Sequence, residues 1–133
     1  MSNNLDATPI YRITEEILGE RLRQHAKWGE QNHSNGTGPN EVPLIGLWYR
    51  ADASDPLEDF DAKDIATAAK ASTDHAAKQG TLTYADIFLE EVFEALAEGD
   101  PEKLRTELIQ CAAVATAWIE KIARDAEKAA RNA

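Results

Sequence analysis

The residues best suited to chemistry are carboxylates. Glu90, Glu91, Glu94 and Glu98 follow one another closely, and Glu107 and Gln110 come soon after. Residues three and four apart share a helix face. At about 100° per residue the four glutamates therefore occupy one sector roughly 100° wide. Leu89, Val92, Phe93 and Leu96 fill the opposite sector. Gly99–Asp100–Pro101 then opens a second helix, whose apolar stripe is Leu104, Leu108, Cys111, Ala112, Ala115, Ile119 and Ile122. Glu107 sits at the border of that stripe and is expected to be half-buried. Two such helices packed antiparallel bring the glutamates together, and clustered carboxylates need protons or a metal.

The plainer alternative is a solvated acidic face with weak salt bridges. Two features count against it. No basic residue lies among the four glutamates, and an unpaired charge at the edge of an apolar stripe is costly. Hard oxygen ligands suit magnesium, which keeps several waters and takes up substrate phosphates. Glu91, Glu94 and Glu107 fit that description. No Cys/His set has zinc-like spacing, and no Walker-type glycine loop is present. Cys111, on an apolar stripe, reads as a small hydrophobe. His25 and His75 read as surface or core-edge residues, whereas His33, in a turn-rich loop near Gln31, is placed to touch a substrate.

Bulk properties bound the answer. A chain of 133 residues suggests one domain. Its net charge of −10, from 24 acidic and 14 basic residues, argues against general nucleic-acid or anionic-membrane binding. A phosphate-bearing substrate would need a divalent cation to offset that charge locally. The single cysteine excludes an internal disulfide and makes a cytoplasmic setting the default. No apolar run reaches the ~18 residues of a membrane span, and the N-terminal stretch lacks the charged and apolar regions of a signal peptide.

The elements that must position the glutamates are helical. Residues 1–7 read as a loose end. Thr8 followed by Pro9 reads as a capping hydroxyl and a first-turn proline, opening a helix to about Trp28 that Gly29 ends. Its apolar stripe is Ile10, Ile13, Ile17 and Leu22. Residues 29–60 have turn chemistry and no helical period. Within them Leu44–Tyr49 is compatible with a strand-like segment or a helical turn. Alanine-rich residues 61–78 favour helix; Gly80 ends it, and Thr83 with Asp86 resembles a capping box. A third helix to about Ala97 and a fourth from Asp100–Pro101 past Ala123 follow, with 124–133 expected to fray. The sum is an all-α bundle of about four helices with a long loop between the first two.

Glu91-x-x-Glu94 followed by Glu107-x-x-Gln110 resembles the Glu-x-x-Glu…Glu-x-x-Asp signature of the all-α nucleoside triphosphate pyrophosphatases, the MazG-like superfamily. The stretches RLRQHAKWGEQNH (21–33) and GTLTYADIFLEEVFEALAEGDPEKLRTELIQCAAVATAWIE (80–120) resemble small phage- and actinobacterial-type members, and together they cover most of the chain outside residues 34–79.

The resemblance implies a helical bundle that assembles as a homodimer or homotetramer. It implies carboxylates holding Mg²⁺, or Mn²⁺, on a nucleoside triphosphate that is cleaved to the monophosphate and pyrophosphate. Carried over by position, Glu91, Glu94 and Glu107 are metal ligands, and Glu90 orients the attacking water beside Glu91. The family's final Asp is Gln110 here, which can lend one neutral carbonyl oxygen but no carboxylate. That weakens a second metal position, or leaves it to Glu98 or a neighbour. On the first helix, Arg21 and Lys27 are placed to meet phosphate oxygens. Trp28 either stacks on a base or packs in the core, and Gln24 or Gln31 reads the base edge. The rival from another class is a non-catalytic protein that sequesters a nucleotide in the same cleft. A third reading is a purely structural helical oligomer.

Overall fold

The computed structural model describes residues 5–35, 37–41 and 61–133. These form four α-helices and no strand: α1 (Thr8–Trp28), α2 (Ala62–Gln79), α3 (Tyr84–Leu96) and α4 (Pro101–Arg131). The protein is all-α, as the periodicity predicts. It divides into two compact units, one of Met1–Ser34 and Ala115–Ala133, the other of Asn35–Val114. Helix α4 contributes to both. No helix among the described residues is long and apolar enough to cross a membrane.

In the second unit local chemistry fixes the starts of α2, α3 and α4 and the end of α2. The Asp61 carboxylate accepts from the Asp64 N–H at 3.0 Å while Asp64 accepts from the Asp61 N–H, so α2 begins with a reciprocal capping box. It ends at Gly80, whose φ of 70° is the left-handed conformation that glycine adopts at no steric cost. Thr83 and Asp86 form the expected box at the start of α3: the Thr83 hydroxyl accepts from the Asp86 N–H at 3.1 Å, and the Asp86 carboxylate accepts from the Thr83 N–H at 3.0 Å. At the α3–α4 turn, Asp100 accepts from the Lys103 N–H at 2.9 Å.

Helices α2 and α3 pack on each other. The buried Thr73 hydroxyl donates within α2 to the Ala69 carbonyl at 3.0 Å and across to the Asp86 carbonyl at 3.3 Å. Ala62, Phe93, Ala95 and Leu104 are the buried apolar residues here. Residues 37–41 are wired onto this frame. Thr37 donates its hydroxyl to the Glu98 carbonyl at 2.7 Å, and the Gly38 N–H donates to the Leu96 carbonyl at 3.0 Å. The Glu41 carbonyl accepts from the Ala62 N–H at 2.7 Å. The alternatives predicted for Leu44–Tyr49 fall outside the described residues.

The first unit departs from the sequence reading at both ends. Thr8 is the first helical residue and not the cap; the Asp6 carboxylate accepts its N–H at 3.0 Å instead. Gly29, at φ 68°, ends α1 as predicted. Residues 124–131, expected as an irregular end, continue α4. Their Ala, Lys, Glu and Arg content favours helix, and Lys121 pairs with Asp125 one turn on.

The apolar stripes are covered only in part. Ile13 and Leu104 are buried, but Ile17, Leu22, Leu89, Leu108, Ile119 and Ile122 are exposed, Leu22 by 63%. Among the described residues, part of each of these stripes is exposed.

The Thr83–Asp86 box gives a direct test. Thr83→Ala removes the hydroxyl acceptor and should cost about 1 kcal/mol, lowering the melting temperature by roughly 3–5 °C; calorimetry on both proteins checks it.

Candidate metal centre

Glu91 and Glu94 lie one turn apart on α3, and the Gly99–Asp100–Pro101 turn returns the chain so that α4 presents Glu107 to them. One oxygen from each of the three carboxylates lies within 4.8 Å of the others, and all three side chains are half-buried. The arrangement predicted from helical spacing is thus the arrangement found. Its electrostatics follow from that closeness. Burial, then the charges of Glu107 and Glu90, push the Glu91 pKa up. Burial also raises Glu94, with Glu91, Glu107 and Glu90 adding to it and Lys70 opposing. Cys111 sits close enough that burial, Glu91 and Glu107 push its thiol up as well, which keeps it protonated and a poor metal ligand.

Gln110, on α4, stands beside the cluster. Turned with its nitrogen toward the carboxylates, its amide donates to Glu91 Oε2 and Glu107 Oε2, each at 3.1 Å. Turned the other way, its oxygen faces the same two carboxylates, the orientation that a cation shared with them would favour.

Two other glutamates behave differently from their shared sector. The Glu90 side chain is only 14% exposed and lies 3.9 Å from the Lys70 ammonium, at the outer range of an ion pair. Lys70, on α2, also lies 3.9 Å from Asp74. Sequence reasoning missed this lysine; its spacing to Asp74 was legible, but its approach to Glu90 depends on the register between α2 and α3. Glu98, suggested as a substitute for the missing Asp, does not join the cluster. Its carboxylate accepts the Asp100 N–H at 3.0 Å, because the backbone donors at the start of α4 compete for it.

The residues assigned to substrate all lie in the first unit and are exposed. Arg21 donates to the Gln24 side-chain oxygen at 2.6 Å, so these two are paired. The Lys27 ammonium lies 4.7 Å from the centre of the Trp28 ring. Trp28 is 60% exposed, so of the two readings for it the core-packing one does not hold. Gln31 and His33 are exposed residues of the segment after α1.

A donor set made of carboxylate oxygens suits a hard divalent cation such as Mg²⁺ or Mn²⁺ better than a soft one. Comparison with known protein families, with curated proteins and with solved structures gives no match for this chain.

The raised pKa values set a pH dependence. A carboxyl whose folded pKa lies above its ordinary value of 4.5 contributes stability that is full below that value and lost as pH rises through the folded pKa. Asp6, held low by hydrogen bonds from Thr8, and Asp125, held low by Lys121, act in the opposite sense at lower pH. In metal-free solution Glu94→Gln should therefore gain on the parent as pH rises above about 4.5, with the largest gap near neutrality. Melting temperatures of both proteins across that range check the sign.

Proposed function

We propose that this chain is a Mg²⁺-dependent nucleotide pyrophosphohydrolase of the MazG-like kind, cleaving a nucleoside triphosphate to the monophosphate and pyrophosphate. The observation that carries the reading is the convergence of Glu91, Glu94 and Glu107. Three half-buried carboxylates on two helices, with oxygens within 4.8 Å of one another, form a donor set that a divalent cation satisfies. The triphosphate and the site of cleavage rest on the sequence resemblance.

In this reading Glu91, Glu94 and Glu107 hold the cation. When bound, Mg²⁺ supplies Lewis acidity and a template for the phosphate oxygens. Glu90, largely shielded from solvent beside Lys70, orients a water and accepts its proton as the water oxygen attacks the α-phosphorus. The bond from that phosphorus to the bridging oxygen breaks, and pyrophosphate leaves. The sequence resemblance assigns Arg21, Gln24, Lys27, Trp28, Gln31 and His33 to the substrate; in their own unit they are exposed, the cations of a kind that meets phosphate and the Trp28 ring of a kind that stacks. Glu91→Gln should abolish Mg²⁺-dependent pyrophosphate release from a panel of NTPs and dNTPs, by at least about a hundredfold, while the metal-free variant melts no lower than the parent. Stabilisation by Mg²⁺ should shrink with it. A parent that binds nucleotide tightly with Mg²⁺ yet releases no pyrophosphate would favour sequestration. A variant that loses stability, from a parent indifferent to metal, would favour a structural role.

The same reading includes self-association. Ile17, Leu18 and Leu22 on α1, with Ile119 and Ile122 on α4, leave apolar surface exposed in a protein of ordinary size. A helix apolar on more than its covered side must bury the excess, and symmetric pairing is the usual route. Light scattering at micromolar concentration should give at least twice the 14.6 kDa chain mass; a monomer there would remove this part of the reading.

A further inference from the structure

Helices α2 and α3 are joined at one end by the short connection from Gly80 to Thr83. The start of α2 and the end of α3 form the other end of the pair. A helix leaves its first N–H groups and last carbonyls without partners of its own. At the start of α2 the box satisfies the N–H groups of Asp61 and Asp64. Those of Ala62 and Lys63 donate to the Glu41 carbonyl at 2.7 Å and the Pro39 carbonyl at 3.2 Å. The end of α3 has no left-handed residue to close it: Ala97 keeps a right-handed backbone, and among the described residues positive φ occurs at Gly29, Gly38 and Gly80. Its Leu96 carbonyl accepts from the Gly38 N–H at 3.0 Å instead, and the Glu98 carbonyl accepts from the Thr37 hydroxyl at 2.7 Å.

Residues 37–41 therefore serve two helix ends of opposite polarity. Thr37 and Gly38 give donors to the end of α3; Pro39 and Glu41 give acceptors to the start of α2. The segment is also braced within itself, because the Glu41 N–H donates to the Gly38 carbonyl at 3.2 Å and closes a turn. Gly38 is buried at a φ of 151°, a conformation strained for any residue with a side chain. A methyl group on Gly99 would lie 3.8 Å from Pro39 Cδ and 4.0 Å from Gly38 Cα, so the segment also lies against the turn between α3 and α4.

We propose that residues 37–41 are a strap that closes this end of the α2–α3 pair and opens as one unit, so that losing its hold on α3 also loses its hold on α2. The turn from Gly38 to Glu41 is the physical reason. A donor facing one helix and acceptors facing the other sit on the same short, braced piece of backbone and shift together. Release of the strap would also free Gly99, which begins the turn that presents Glu107 to Glu91 and Glu94. The proposal is independent of whether those carboxylates hold a metal.

Native-state hydrogen exchange on the full chain tests it, since a protected amide exchanges through the opening that frees it. In the parent, the Gly38, Ala62 and Lys63 amides should share one protection factor, lower than that of the buried Phe93 on α3. Thr37→Val removes the hydroxyl at nearly constant shape. It should speed exchange at all three amides by a common factor, roughly two- to tenfold for one hydrogen bond, although the lost bond is on α3 and two of the amides are on α2. Thr37→Ser keeps the hydroxyl and should exchange like the parent. If Thr37→Val speeds Gly38 alone, the segment is two separate caps and the strap is overturned. Unprotected Ala62 and Lys63 amides in the parent, or amides as slow as Phe93, overturn it too, because neither leaves a separate opening of the strap. A serine variant as fast as the valine variant overturns the role given to the Thr37 hydroxyl and the coupling inferred through it.

Discussion

Mutual repulsion among Glu91, Glu94 and Glu107 is the constraint to which the unit around them answers. Like charges a few ångström apart on half-buried helix surfaces work against folding unless something offsets them. The offsets are visible one by one. The Gln110 amide, with its nitrogen turned toward them, donates to Glu91 and Glu107, the Lys70 ammonium faces the Glu90–Glu94 side from α2, and the pKa values of Glu91 and Glu94 rise. None of these removes the negative charge outright.

The helical frame around them draws much of its definition from helix ends. Reciprocal capping boxes start α2 and α3, Asp100 caps α4, and a left-handed glycine closes α2. Terminal N–H and C=O groups are the backbone's unsatisfied donors and acceptors, and fixing them sets where each helix begins. On α3 the start fixes which residues share a face. Among the described residues of this unit, Phe93, Ala95, Leu104 and Ala62 are the buried apolar members. Alanines along α2 let helices approach closely but bury little area each.

The sequence was most legible where one periodicity sufficed. Helical spacing placed Glu91, Glu94 and Glu107 together, because all three positions follow from two helices and one turn. The Thr83–Asp86 box and the glycine stops at Gly29 and Gly80 were equally readable, since turn chemistry is local. What escaped were competitions between equally reasonable partners. Glu98 shares a sector with the other glutamates, yet a backbone N–H one turn boundary away claims it. Leu89 fits an apolar stripe by angle but is half exposed. Lys70 could be placed only by the register of one helix on another. In each case the residue type was known and the deciding quantity was what stood opposite.

The hydrogen bond from the Ala62 N–H to the Glu41 carbonyl, 2.7 Å long, has a consequence for how this chain can change. Together with the bond from Lys63 to the Pro39 carbonyl, it ties the chain on either side of residues 42–60 to the same spot at the start of α2. Pro39 and Glu41 therefore move with the start of α2, the helix that carries Lys70 toward Glu90. A substitution that shifts that start, such as one in the Asp61–Asp64 box, would be felt both by residues 37–41 and by the acidic cluster.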